Sequence, residues 1–204
     1  MTRQTEALSG LHHNRSILLR VIQKLDLEAL DFLLFPETKS IGELLMHVAG
    51  FEYAMVFSLK AGQGQEIDFD LWEELKPGFS REAGFSGPSG FELDIYTQIL
   101  AKMRARTVDL IEANPAGAVF DRDQFEISTL MSLLAKKDGA GRPEAYEKLG
   151  AGIGTSFVDD GVITQDGTVN LAELLQLHET YHRGQITFQT YLMSRLDRQP
   201  LAAP

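Results

Sequence analysis

The sequence predicts an all-α fold: one four-helix-bundle domain over residues 1–204, with two long irregular excursions, the second carrying the signal of a short β-hairpin. Three observations point there. Four long stretches repeat apolar residues at three- and four-residue spacing, the period of a helix with one buried face. Capping signatures stand before several of those stretches. A chain of 204 residues, 44% hydrophobic and 24% charged, is large enough for one sizeable core and short for two.

The first helix is expected over roughly residues 4–24, where Leu8, Leu11, Leu18, Ile22 and Leu25 mark its inner face. Pro36 lies in the connection that follows. Ser40-Ile-Gly-Glu43 reads as a capping box opening a second helix to about Lys60, with Ile41, Leu44, Leu45, Val48, Phe51 and Met55 inward. Residues 61–88 hold Gly62, Gly64, Pro77, Gly78, Gly84, Gly87 and Pro88, the composition of a loop. Trp72, Phe79 and Phe85 make that loop too apolar for a free linker, so it is expected to fold back over the bundle.

Ser89-Gly-Phe-Glu92 reads as another capping box, starting a third helix that Asn114-Pro115 ends. Within 116–167 a short helix is expected over Ile127–Lys137 and a further turn or two over Pro143–Leu149. Asp166-Gly167 between β-branched flanks carries a hairpin signal. Asn170-Leu-Ala-Glu173 then caps a last helix to about Arg195.

Net charge is −10, from 19 basic and 29 acidic side chains. Nucleic acid and anionic membranes recruit clustered lysine and arginine, so neither is expected as a partner. The densest basic stretch, Lys102-Met-Arg104-Ala-Arg106, reads as a solvated helix face. The absence of cysteine excludes a disulfide scaffold, a thiolate metal site and a cysteine nucleophile. Any metal must therefore be held by nitrogen and oxygen. Without a signal-peptide pattern or a long apolar run, the cytoplasm is the expected compartment.

The chemistry concentrates in His178-Glu-Thr-Tyr-His182-Arg-Gly-Gln185. Histidines four residues apart stand one above the other on a helix face, here in the middle of its apolar stripe, where their imidazoles can share one metal ion. The alternative is a pair satisfied by hydrogen bonds within the core. The pattern H-E-x-x-H matches zinc proteases, but these need a further glutamate or histidine ligand downstream. After His182 there is neither, and Gly184 falls one place early for the longer form of that motif. His47 lies on the shoulder of the second helix's stripe, within reach of a neighbouring helix.

Glu179 is a candidate general base. Gln185, near one turn beyond His182, is a candidate to hydrogen-bond a ligand histidine or the substrate. Arg15, in the first helix's stripe, is placed to bind a carboxylate, the substrate's or that of Glu43 or Glu52. Tyr181 reads as a core or helix contact. Gly150-Ala-Gly152-Ile-Gly154-Thr155-Ser156 lacks the lysine of a phosphate loop.

Taken in order, His13-Asn14-Arg15, Ser40-Ile-Gly-Glu-Leu-Leu-Met-His47, Asp-Gly-Thr-Val before the last helix, and His178-x-x-x-His182-Arg-Gly-Gln-Ile resemble the DinB/YfiT-like family. The resemblance covers most of the chain, although the excursions at 61–88 and 116–167 are long for that family. It implies a four-helix bundle with a divalent metal, zinc or nickel, on His47, His178 and His182. It further implies either transfer of a low-molecular-weight thiol to a small-molecule electrophile, or metal-dependent hydrolysis with Glu179 as base; a non-catalytic metal-binding protein is the other reading. Lacking cysteine, the chain would need its thiol from outside. The resemblance also implies a homodimer, for which apolar groups in the loops would supply a contact.

Overall fold

The computed structural model describes residues 2–36, 38–67, 69–79, 87–139, 144–151 and 167–195. Helices dominate, and the longest of them start and stop where the local chemistry directs. Helix α1 (Arg3–Ile22) is capped by the Thr2 side chain. A short α2 (Leu27–Asp31), capped by Asp26, leads to α3 (Ile41–Gly62). At the start of α3 both halves of the expected capping box form, Ser40 Oγ accepting from Glu43 N–H and the Glu43 carboxylate accepting from Ser40 N–H. Helix α4 (Trp72–Leu75) continues into a 3-10 turn, Lys76–Phe79. Then follow α5 (Leu93–Ala113), β1 (Val119–Asp121), α6 (Ile127–Lys137), α7 (144–151), β2 (Thr168–Asn170) and α8 (Leu171–Arg195).

The bundle consists of α1, α3, α5 and α8. Helix α1 packs on α8 and α3 on α5, while α3 also meets α8 and α1 meets α5, so the four close a ring. Helix α3 departs from the amphipathic pattern. Every residue from Leu44 to Leu59 is buried except His47, so its apolar character runs all round and both sides are covered. The excursions supply the outer cover. Trp72, Leu75 and Phe79 from 61–88 are buried, as are Leu130, Met131, Leu134, Tyr146 and Leu149 from 116–167. The 3-10 turn approaches so closely that a Cβ on Gly78 would lie 2.7 Å from the Met46 carbonyl.

One local expectation changes. Glu92, not Ser89, is the N-cap of α5, and no side chain caps that end. Gly90 instead takes φ +75° and its N–H donates to Asp31 Oδ2 at 2.8 Å, which ties the approach to α2 and delays the helix to Leu93. Of the hairpin signal, the strand that lies among the described residues pairs with a distant partner. Gly167 has the turn conformation, φ +81°, but the strand after it pairs antiparallel with β1, Phe120 opposite Val169. Residues 152–166, with the other flank of that signal and most of the glycine-rich segment, lie outside the described residues.

The basic stretch on α5 is also not one solvated face. Lys102 is exposed beside Glu74, but Arg104 is only 5% exposed and turns into the bundle. Among the described residues, large exposed apolar side chains gather on α8, as Leu177, Tyr181, Phe188 and Tyr191, with Leu33 in the loop after α2 and Ile95 on α5 besides. Among the described residues no helix is long and apolar enough to cross a membrane.

Candidate metal centre

Helix periodicity puts His178 and His182 on one side of α8, and the capped start of α3 brings His47 against them. One ligand nitrogen from each lies within 4.8 Å of the others. His178 Nε2 and His182 Nε2 are 3.2 Å apart. Two nitrogens bound to one tetrahedral ion at roughly 2.0–2.1 Å would be separated by about 3.3 Å, so this pair already has the spacing of shared ligands. The His47 ring centroid stands 4.8 Å from that of His182 and 5.3 Å from that of His178.

Neighbours fix the rings. His182 Nδ1 is 2.7 Å from Gln185 Oε1, and the same amide's Nε2 donates to Tyr181 Oη at 3.2 Å. An amide oxygen only accepts, so Nδ1 of His182 carries the proton and Nε2 keeps its lone pair. Gln185 therefore has the orienting place expected for it. Tyr181 is no core residue, being 65% exposed, and it reaches the site from outside through that amide. His178 is stacked on Phe51, ring centroids 3.8 Å apart and planes 13° apart, and His47 meets the edge of Phe79.

Burial favours the neutral imidazole. Desolvation holds His47 well below its ordinary pKa, helped by the charges of Lys39 and His182 and opposed by a hydrogen bond to the Gly78 backbone. Desolvation, then His182, His47 and Lys39, does the same for His178. Neutral imidazole is the ligand form, so both rings are ready for a cation at neutral pH. Lys39 Nζ lies 3.4 Å from His47 Nδ1.

Glu179 and Arg15 lie elsewhere. They belong to a buried knot of four side chains, one from each bundle helix: Arg15 of α1, Glu52 of α3, Arg104 of α5 and Glu179 of α8. Arg15 binds Glu179 Oε1 at 2.9 Å and Glu52 Oε2 at 2.8 Å. Arg104 binds Glu52 Oε1 at 2.8 Å and Glu179 Oε2 at 2.7 Å. Each guanidinium also donates to a carbonyl on the other's helix, Arg15 to Leu100 and Arg104 to Leu11, each carbonyl four residues before the other arginine. Thr107 Oγ1 donates to Glu52 at 2.6 Å.

Two positive and two negative groups cancel there, and every carboxylate oxygen has a cationic partner, the condition under which buried charge is tolerated. Of the two glutamates proposed for Arg15, Glu52 is a partner and Glu43, which closes the capping box of α3, is not; the second partner is Glu179, the candidate base. Both oxygens of Glu179 are held by guanidinium groups.

Sequence reasoning passed over Arg104, whose place beside Leu100, Met103, Thr107 and Ile111 on the inner stripe of α5 was the available signal. Beside the knot, Asn14 joins α1 to α8, its Oδ1 accepting from Arg183 at 2.6 Å and from Thr180 at 3.1 Å. Residues of the early His-Asn-Arg run thus meet those of the late His-Arg-Gly-Gln run. Comparison with protein-family models, curated proteins and solved structures finds no match, so the assignment of this centre rests on its own geometry.

Proposed function

We propose that this chain is a metal-dependent enzyme that holds a divalent ion, zinc or nickel, on His47, His178 and His182 and transfers a low-molecular-weight thiol to a small electrophile. The observation that carries the reading is a nitrogen-only ligand set whose nearest sequence carboxylate, Glu179, is bound on both oxygens by Arg15 and Arg104. Three protein ligands leave a place for an exchangeable one, the arrangement of catalytic rather than structural sites. A bound ion would lower the pKa of a thiol in that place and so supply a nucleophile near neutral pH.

Hydrolysis with Glu179 as base would require that carboxylate to leave two ion pairs, whereas a thiol supplies its own nucleophilic atom. In the transfer the thiol gives its proton to solvent, its sulfur forms the new S–C bond, and the electrophile's leaving group departs with the electron pair of the bond that breaks. The chain's own residues contribute placement. Gln185 holds His182 in the tautomer that exposes Nε2, Phe51 fixes the plane of His178, and Phe79 borders His47. Resemblance of the His-x-x-x-His-Arg-Gly-Gln run to the DinB/YfiT-like family supports the same reading.

The test begins with metal analysis of untagged protein, where about one zinc or nickel per chain is expected, one ion per three-histidine site. Cobalt-substituted protein is then titrated with a small thiol such as 2-mercaptoethanol. New sulfur-to-cobalt absorption is expected. A chain that binds no divalent ion overturns the proposal, and one that binds cobalt without responding to thiol is a non-catalytic metal-binding protein instead.

A further inference from the structure

The outer face of α8 carries more apolar surface than a solvated helix needs. Among the described residues six large apolar side chains stand exposed, and four of them lie on this helix: Leu177, Tyr181, Phe188 and Tyr191, each more than half exposed. With Gly184 they follow one another at intervals of four and three residues, the spacing of a seam that packs against a second helix. Three aromatic rings and a leucine so exposed present on the order of 400 Å², the size at which such patches serve as contact sites.

Gly184 sits at the middle of that stripe. Glycine inside a helix is destabilising relative to alanine, and nothing within the chain calls for it here, since a Cβ would meet no atom within 4 Å. A second helix crossing closely from outside supplies the reason.

Charge indicates which helix that is. Of the exposed residues of α8 only Glu173 and Arg195 are charged, one towards each end, so the face is neutral in a chain of net charge −10. A two-fold axis through Gly184 matches the stripe to itself. Glu173 and Arg195 each lie eleven residues from it, and Leu177 and Tyr191 each lie seven. In an antiparallel pair about that axis, Glu173 meets Arg195 of the second copy, Leu177 meets Tyr191, and Tyr181 lies against Thr187 and Phe188. A second copy thus carries both the apolar order and the opposite charges that this face requires.

The same face adjoins the histidines. Tyr181 Oη accepts from Gln185 Nε2, and the oxygen of that amide accepts from His182 Nδ1.

We propose that the outer face of α8 is the docking surface for a second copy of this chain. The two α8 helices cross antiparallel at Gly184 with Glu173 of each against Arg195 of the other, and Phe188 of the second copy covers Tyr181 at the outer edge of the histidine centre. This pairing does not depend on the ion or the reaction proposed above.

Sedimentation equilibrium of the full chain tests it, and a dimer is expected. Glu173→Arg and Arg195→Glu should each raise the dissociation constant about tenfold, and the double reversal should restore it. Gly184→Leu should give a monomer whose far-ultraviolet circular dichroism is intact, because the added side chain starts into open space. A wild-type chain that stays monomeric at the highest concentration reached overturns the proposal. So does a dimer indifferent to Gly184→Leu, or a double reversal that restores nothing.

Discussion

At the scale of single residues, the clearest prediction concerns the buried knot. Glu179→Ala removes one carboxylate from a balanced set of four and leaves Arg15 and Arg104 to share Glu52. Breaking a buried pair from one side costs on the order of 3–5 kcal/mol, so the urea midpoint should fall far below wild type. A near-neutral midpoint would show that the knot is not buried in solution as it is here. Gln185→Leu should behave in the opposite way. It keeps the fold, since Gln185 is only half-buried, but removes the acceptor that sets the His182 tautomer. Zinc affinity measured by chelator competition should drop about 10–100-fold with little change in the melting temperature. The histidine pair was legible because its spacing alone places two imidazoles on one face. Arg104 was not, because its neighbours Lys102 and Arg106 suggested a solvated face, whereas its inward turn depends on carboxylates from two other helices.

At the scale of elements, signals carried by a few neighbouring residues fared according to what competed with them. The Ser40 box formed as written, and α6 spans Ile127–Lys137 as its periodicity indicates. The similar box at Ser89 did not form, because Gly90 is drawn into a turn by the distant Asp31. The strand after Gly167 likewise found its partner in residues 119–121, far away in sequence. Helix α3 is the telling case. Six inward residues were legible, but burial on its other side depends on which surface the excursions choose to cover. One close approach is Gly78 against the Met46 carbonyl, next to His47. Gly78→Ala should therefore force the 3-10 turn away from α3. An overpacking cost of roughly 1–3 kcal/mol is expected in the unfolding free energy. Because Gly78 also borders His47, zinc affinity should fall with it; a variant that loses stability but binds zinc unchanged would separate the turn from the site.

At the scale of the whole molecule, the bundle was legible because four apolar stripes in one chain have few ways to be buried other than against one another. Its charge balance was less so, since a net charge of −10 says nothing about which acids are inside. Burial alone would raise the pKa of Glu52, but Arg104 and Arg15 outweigh it, and the net direction is downward from 4.5. A carboxylate depressed in the folded state stabilises fully above its ordinary value, and that contribution disappears as pH falls through the folded value. Urea unfolding should thus show stability holding from neutrality to about pH 4.5 on this account and declining below it. Glu52→Gln should start less stable and lose less over the acid range; an equally steep decline would assign the acid sensitivity to other groups. The same knot has a further consequence, for alignment along the bundle axis. Both guanidinium groups grip Glu52 of α3 and Glu179 of α8 at once, so the two helices cannot slip past each other without breaking several charged contacts. One turn of slip is about 5.4 Å, more than the 4.8 Å within which the three histidine nitrogens now lie. Glu52 follows His47 by five residues and Glu179 adjoins His178, so the four-charge lock acts as a gauge that sets the height of one ligand against the other two. A site of this kind can be lost by sliding a helix, with every histidine still present.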